Sequence, residues 1–375
     1  MNLSKVSDLQ VLNQFNQPDY GDPVEVLSPV EQRYDLDFVK DISSDSESRE
    51  DFSRPLPPEN VLFPSVKLRQ IENAFVTDAF LTFDEEYVYT DTILKGGLGS
   101  FKHNDALNWS QQKISKTIDN ISYEFQHESV LVVHNEGGGT WGHHLIQNFP
   151  KILFIKKHFP HIKIALPKGF CSLNMSQGKL LNAYGIDRDS IIPLSSNTSY
   201  LFKSVYILDF LFEPKSGFIH PWALDALRSV DILLENTHEV DRLFIKRLKK
   251  REIENRSEVE ALLEQYHYQP FTQAHANLDS QIANWGRARS VVATLGSDMT
   301  NMVFLPDGAS ILSLSPDWFG DRFFFNLACA ANINWFELRC GKVGKESESH
   351  QRFNNFFVDK PMLEQKIRDI GELAK

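Results

Sequence analysis

The segment Val291–Pro316 most constrains what this chain can fold into. The apolar run Val291–Ala293 predicts a buried strand, and a polar, glycine-bearing turn follows at Thr294–Asp298. We expect Met299–Phe304 to begin a helix, and Ile311–Leu314 to form a second strand after a Pro-Asp-Gly break. This pattern is typical of α/β nucleotide sites, because free N–H groups at a helix start favour an anion. Turns without a ligand in ordinary α/β proteins have the same pattern. The rest of the chain must therefore show whether this turn is a binding site.

Strand and helix patterns alternate along two stretches of the chain. The first stretch covers residues 129–210, and the second begins at Arg242 and leads into the strand at Val291. Alternation of this kind predicts mostly parallel sheets covered by helices. We therefore expect an α/β protein built in two halves.

Composition excludes several classes of function. The apolar fraction of 42% and the charged fraction of 24% are those of an ordinary soluble protein. A net charge of -11 argues against a broad nucleic-acid surface, although a local arginine cluster could still bind phosphate. The 3 cysteines have neither disulfide nor metal-ligand spacing, which fits a reducing compartment. We see no signal peptide and no membrane-spanning run, so we expect a cytoplasmic protein.

Four elements of the sequence are Gly142–Lys151, Leu243–Asn255, Gln281–Arg289 and Leu295–Gly308. Their order is similar to that found in the family 61 glycosyltransferases. That family carries a Gly-His element, then a strand leading to two arginines and an Asn, then a Gln within a helix. A strand followed by His-Gly-Ala-Gly-Leu-Thr-Asn-x-x-Phe-x-Pro-x-Gly comes last. The chain resembles this family from about residue 66 to residue 316, and its Thr-Asn-Met-x-Phe-x-Pro block is the most specific match.

The resemblance implies a GT-B-like fold, with two Rossmann-like domains facing a central cleft. Residues 1–60 would be an acidic, Ser/Pro-rich arm or linker, and residues 61–220 the acceptor-side α/β domain. Residues 221–345 would bind the nucleotide sugar, and residues 346–375 would form a tail helix. It also implies inverting sugar transfer without a metal ion.

Three residues depart from the family pattern. Leu295 replaces a His, Asp298 replaces a Gly, and Arg256 replaces a Glu. These departures do not affect the fold prediction. They do affect what the resemblance implies about the donor and about which residue is catalytic.

The resemblance assigns the donor site to two groups of residues. Arg247 and Arg251 would clamp the donor diphosphate, since a guanidinium fork matches phosphate oxygens. A solvated basic turn is the alternative. The second group is the helix-start turn, where a glycine lets the backbone approach phosphates and hydroxyl groups donate to them. An ordinary N-cap is the alternative there. The second group comprises Gly296, Ser297, Thr300 and Asn301.

Inverting transfer needs a base that takes a proton from the acceptor hydroxyl group. His143 suits this role because histidine titrates near neutral pH, and Glu136 and Asp298 are competing candidates. His144 stands where the family has an aromatic residue, so we expect it to pack or to support the acceptor. Gln281 is predicted to brace the donor turn.

The sequence therefore predicts an inverting, metal-independent glycosyltransferase of bacterial surface polysaccharide synthesis, such as capsule or lipopolysaccharide. The donor would be a nucleotide sugar, with UDP favoured, the acceptor a saccharide or lipid-linked saccharide, and no separate cofactor is expected. Peripheral association with the inner face of a membrane and homo-oligomer formation are left open. A catalytically degenerate binding protein is the alternative. A nucleotide-sugar epimerase is disfavoured, because no Gly-x-Gly-x-x-Gly follows an early strand.

Overall fold

A computed structural model describes most of the chain. The described residues are 10–12, 20–34, 39–42, 59–78, 81–92, 112, 126–133, 138–212, 218–230, 240–248, 250–317, 322–341 and 354–373. They divide into two compact units. Unit 1 comprises residues 1–32 and 62–230, and unit 2 comprises residues 33–61 and 231–375.

The strands are numbered in chain order. They are β1 Gln10–Leu12, β2 Val24–Leu27, β3 Val30–Arg33, β4 Val39–Ile42, β5 Asn60–Phe63, β6 Val66–Thr77, β7 Thr82–Phe83, β8 Tyr87–Tyr89, β9 Gln126–Val132, β10 Lys163–Pro167, β11 Ile191–Leu194, β12 Ser199–Leu208, β13 Arg242–Ile245, β14 Gln269–Phe271, β15 Ser290–Thr294, β16 Ser310–Pro316 and β17 Asn334–Cys340.

The α-helices are numbered in the same way. They are α1 Trp141–His143, α2 Phe149–His158, α3 Ser176–Ala183, α4 Pro221–Arg228, α5 Arg256–Gln265, α6 Leu278–Arg287, α7 Arg322–Ala330 and α8 Lys360–Leu373. A π-helical turn, His144–Asn148, joins α1 to α2. Short 3-10 helices occur at Thr90–Thr92, Lys168–Cys171, Arg188–Ser190, Gln273–His275 and Ser297–Phe304.

In unit 1, the described strands form a mixed sheet in the order β1-β8-β7-β6-β12-β9-β10-β11, with β2 also paired to β6. The pairs β12–β9, β9–β10 and β10–β11 are parallel, and the pairs of β6 with β2, β7 and β12 are antiparallel. The parallel strands alternate along the chain with α2 and α3. The α/β prediction is therefore confirmed for this unit.

In unit 2, the described strands form a sheet in the order β14-β13-β15-β16-β17-β4, and all neighbours are parallel. Every residue of β15 and β16 is buried, as expected for a parallel sheet covered on both faces. One core packs apolar residues of α5 and α8 against this sheet. The parallel sheet confirms the α/β prediction for unit 2 as well.

The strand order of unit 2 places a topological switch point between β13 and β15. β14, the next strand along the chain, pairs with one edge of β13, and β15 then pairs with the opposite edge of β13. In open α/β sheets, ligands bind outside the carboxyl ends of the strands at such a point. The loops after Ile245 and Thr294 are therefore the first place to look for a site.

Local geometry differs from the sequence prediction at two places. The helix predicted from Leu145 begins instead with the π turn, and Pro150 lies in the first turn of α2. The helical turns run on from Trp141, and Pro150 has no N–H to donate, so the regular α-helical bonding cannot continue unchanged through this position. The predicted helix after the glycine turn is a 3-10 helix, Ser297–Phe304.

Part of the predicted N-terminal arm takes part in the sheets. The strand β4 runs parallel to β17 in unit 2, and β2 pairs with β6 in unit 1. Within the described residues, no helix is both long enough and apolar enough to cross a membrane.

Candidate functional site

Gly296 and two arginines meet at the carboxyl edge of the unit 2 sheet. A β-carbon built on Gly296 would overlap Nη1 of Arg247, and would lie 2.8 Å from Nη2 of Arg251. Both guanidinium groups therefore lie directly against the backbone of the turn that follows β15. Glycine permits this close approach, since an added side chain would have to displace the ends of both arginine side chains.

The loop after β13 turns back so that both arginines reach the same place. Lys250 and Arg251 adopt the left-handed conformation, with φ of 57° and 55°. Non-glycine residues seldom adopt this conformation, and two in succession reverse the chain. The Nε of Arg247 donates to the carbonyl oxygen of Lys250 at 2.9 Å, which fixes the guanidinium relative to the turn. The Arg251 side chain is buried as a result.

Asp298 supplies the negative charge of the site. Its Oδ2 lies 3.7 Å from Nη1 of Arg247. Withdrawal of the carboxyl group from water raises the pKa of Asp298, and the positive charges of Arg247 and Arg251 oppose that rise. Two guanidinium groups face one carboxylate, so these three side chains leave one positive charge for an anionic ligand.

The predicted hydroxyl donors are placed differently. Ser297 is half-buried and begins the 3-10 helix, whereas Thr300 is fully buried within it. The Thr300 hydroxyl group has no hydrogen-bond partner among the described residues. Gly296 stands at the N-cap position without a side-chain cap. Ser297 is therefore the better placed of the two hydroxyl groups to reach a ligand.

Gln281 contacts the donor turn through Asn301. The Nδ2 of Asn301 lies 3.4 Å from Oε1 of Gln281, and Nε2 of Gln281 donates to the carbonyl oxygens of Gln273 and Ala276. The side chain of Gln273 in turn accepts a hydrogen bond from Nε1 of Trp285. This chain of amides links the 3-10 helix to α6.

The three departures from the family pattern have distinct places. Leu295 is buried, and its N–H donates to the carbonyl oxygen of Leu314 at 3.1 Å, which extends the β15–β16 ladder. Arg256 donates to the carbonyl oxygen of Arg247 at 2.9 Å and pairs with Glu252 at 2.8 Å. Asp298 pairs with Arg247. Arg256 follows Glu252 by four residues in the sequence. This spacing favours an ion pair between the two side chains at the start of a helix.

The two histidines lie in unit 1. Nδ1 of His143 lies 3.0 Å from Oε1 of Gln147, in a contact whose donor and acceptor depend on the tautomer of the ring. His144 is fully buried near the rings of Phe149 and Phe170, and burial lowers its pKa to about 3. His144 thus packs as an aromatic residue, whereas the side chain of His143 is only half-buried. Glu136 lies outside the described residues.

Within the described ranges, no three His, Cys, Asp or Glu side chains are grouped as metal ligands would be. The charged groups that meet at the switch point are Arg247, Arg251 and Asp298.

Comparison with known proteins identifies the domain. Residues 141–312 match the family model Glycosyltransferase 61, and this range includes His143 as well as Arg247 and Gly296. No curated protein matches the chain. The family whose model matches residues 141–312 is thus the family indicated by the motifs of the sequence.

Proposed function

We propose that this protein is an inverting glycosyltransferase that takes its sugar from a nucleoside diphosphate sugar. One observation carries the proposal: two guanidinium groups pack against the backbone of Gly296 at the topological switch point of unit 2. Phosphate oxygens are the ligands that match a pair of arginines beside free backbone N–H groups. The family match supports sugar transfer as the reaction.

In the proposed reaction, the acceptor hydroxyl oxygen attacks the anomeric carbon of the donor sugar. The bond from that carbon to the diphosphate oxygen breaks, and a base takes the hydroxyl proton. Negative charge develops on the leaving diphosphate, and Arg247 and Arg251 would stabilise it there. Guanidinium groups stay charged at any physiological pH, so this stabilisation requires no metal ion.

We propose His143 as the base. Its Nδ1 lies 3.0 Å from Oε1 of Gln147, and an Nδ1–H donated to that oxygen would leave Nε2 to take the proton. Asp298 already pairs with Arg247, and we assign it the role of counter-ion that the diphosphate displaces. The Asp298→Asn variant should then keep transfer activity, whereas His143→Ala should lose most of it.

Calorimetric titration with UDP, GDP, ADP and CMP tests the donor site. We expect wild-type protein to bind one of them, UDP being favoured, and Arg247→Ala to lose about tenfold or more in affinity. Arg289→Ala is the matched control, because Arg289 is exposed just before β15 in the same unit. Absence of binding by the wild type, or equal binding by Arg247→Ala, would contradict the proposal.

A catalytically degenerate binding protein is the second candidate function. The observation favouring it is the buried Leu295, which stands where the family has a histidine. Release of UDP from a UDP-sugar in the presence of saccharide acceptors separates the two candidates. Turnover that disappears in His143→Ala supports the enzyme, whereas tight binding without turnover supports the binding protein.

The remaining expectations are also proposals. They are a GT-B arrangement of the two units, a saccharide or lipid-linked saccharide acceptor, a cytoplasmic location, and a role in bacterial capsule or lipopolysaccharide synthesis. A crystal structure with bound UDP would test the first, and loss of surface polysaccharide after gene deletion would test the last.

A further inference from the structure

A short segment near the C-terminus is bonded to the loop that carries the two arginines. The N–H of Phe356 donates to the carbonyl oxygen of Glu252 at 3.1 Å, and the N–H of Glu254 donates to the carbonyl oxygen of Phe356 at 2.9 Å. Ile253 and Phe356 form a parallel bridge, and both side chains are buried in the core of unit 2. We call residues 354–358 the C-terminal strap.

Two asparagines complete the attachment. Oδ1 of Asn355 accepts a hydrogen bond from the N–H of Glu252 at 3.0 Å. The side chain of Asn255 bonds Val358 twice: its Nδ2 donates to the carbonyl oxygen at 2.9 Å, and its Oδ1 accepts from the N–H at 3.1 Å. The strap thus holds residues 252–255 through both main-chain and side-chain bonds.

These bonds act directly beside a strained turn. Arg251, in the left-handed conformation, is joined to Glu252, whose N–H and carbonyl groups are both held by the strap. Residues in sparsely populated backbone conformations persist only where their surroundings over-determine them. The strap therefore supplies, from about 100 residues further along the chain, part of the restraint that keeps Arg251 against Gly296.

We propose that the C-terminal strap positions the two donor arginines, with Asn255 and Asn355 as the positioning residues. The inference rests on the proposed function, in which Arg247 and Arg251 bind the donor diphosphate. A preorganised loop binds more tightly, because less conformational freedom is lost when the ligand arrives. Loosening the strap should weaken diphosphate binding without unfolding unit 2.

Asn355→Ala is the decisive variant, and Asn354→Ala is its matched control. Asn355 is exposed, so its replacement should leave the melting temperature unchanged. Asn354 is the adjacent asparagine, with no hydrogen bond among the described residues. By calorimetry with UDP and with inorganic pyrophosphate, we expect Asn355→Ala to bind about two- to tenfold more weakly. Asn354→Ala should bind like the wild type.

Substitution by aspartate sharpens the test. Among the described residues, the side chain of Asn355 bonds only through its acceptor oxygen, so Asn355→Asp should bind like the wild type. Asn255 uses both its donor and its acceptor, so Asn255→Asp should remain weak. A role in bulk stability alone would lower the melting temperature and would not produce this contrast in affinity.

Limited digestion with trypsin gives a readout that needs no ligand. Arg251 is buried, so cleavage after it should be slow in the wild type and faster in Asn355→Ala. If the wild type binds neither UDP nor pyrophosphate, the proposed function fails, and digestion still decides whether the strap orders the loop. Equal cleavage of Asn355→Ala and Asn354→Ala, or faster cleavage with unchanged affinity, would overturn the inference.

Discussion

Gly296 has no side chain, and the space beside its backbone is occupied by the arginine guanidinium groups. Its φ of 160° is extended and open to any residue, but the volume of a β-carbon is already filled by the Arg247 guanidinium. A side chain there would push the guanidinium group away from the turn. The glycine and the arginine therefore depend on each other, although 48 other residues separate them along the chain.

We expect Gly296→Ala to reduce UDP affinity by about tenfold or more, because it displaces a charge-assisted contact. Only the end of a flexible side chain has to move, so the melting temperature should change little. Gly286→Ala is the matched control, since that glycine lies exposed in α6, where an added β-carbon meets only ordinary contacts. Calorimetry on both variants checks the prediction, and wild-type affinity in Gly296→Ala would contradict it.

His144 affects stability through its burial. Its folded-state pKa of about 3 lies below the 6.5 of an exposed histidine, so the fold holds it neutral. The stability from this group is fully present above pH 6.5 and is lost as the pH falls toward 3, at about 1.4 kcal/mol per pH unit. We expect His144→Phe to remove this loss while keeping the ring contacts.

Urea unfolding of the wild type and of His144→Phe at pH 7, 6, 5 and 4 measures the difference. His161→Phe is the control, because His161 is an exposed histidine of the same unit. A stability gap that stays constant over this pH range would contradict the assignment of His144 as a neutral packing residue.

At the scale of elements, the amide chain through Gln281 joins α6 to the 3-10 helix of the donor turn. Its Nε2 donates to two main-chain carbonyl oxygens, of Gln273 and Ala276. Gln281→Glu would replace the Nε2 donor by a carboxylate oxygen, which cannot donate. The carboxylate oxygen and the carbonyl oxygens would then repel each other. We expect a loss of about 1–3 kcal/mol in the free energy of unfolding.

Chemical denaturation of Gln281→Glu measures that loss. Gln265→Glu, at the exposed end of α5, makes the same chemical change where no side-chain hydrogen bond is broken and should cost little. Equal stability of the two variants would show that the hydrogen bonds of Gln281 do not stabilise the 3-10 helix.

Element type was predictable from the sequence, and local helix geometry was not. Apolar runs such as Val291–Ala293 predict buried strands because parallel sheets are covered on both faces. The 3-10 geometry of Ser297–Phe304 and the π turn before α2 depend on what these segments pack against. Short strands such as β4, with few apolar residues, are stabilised by a neighbouring strand far away in the sequence and leave a weak local pattern.

At the scale of the whole molecule, unit 1 is built around buried charges. Arg69 forms an ion pair with Asp209, and Tyr20 donates a hydrogen bond to Asp91. Lys151 donates to the carbonyl oxygen of Leu208, and burial lowers its pKa to about 8. Burial raises the pKa of Asp91 to about 6. Such a cluster makes the stability of the unit depend on pH.

For Asp91, the folded pKa lies above the 3.8 of an exposed aspartate, so the folded state binds the proton more tightly than the unfolded state does. Its contribution to stability is present below pH 3.8 and is lost as the pH rises through about 6. Asp91→Asn cannot titrate. We therefore expect the wild type to lose stability relative to Asp91→Asn between pH 4 and pH 6.

Denaturation of both proteins across that pH range tests this sign, with the exposed Asp189→Asn as control. A wild type that gains stability relative to Asp91→Asn as the pH rises would mean that ion pairing outweighs burial at Asp91.

The sequence by itself determined the α/β class, the match to the glycosyltransferase 61 family model, and the residue types of the turn after β15. Those features follow from local periodicity and from short motifs. Both are properties of the sequence and do not depend on how the helices and strands pack. The tertiary structure decided that Arg247 and Arg251 lie against Gly296, that Asp298 pairs with Arg247, and that a segment near residue 355 holds the arginine loop. The reason is strand order: β13 and β15 are neighbours in the sheet, and no local propensity specifies which strands will pair.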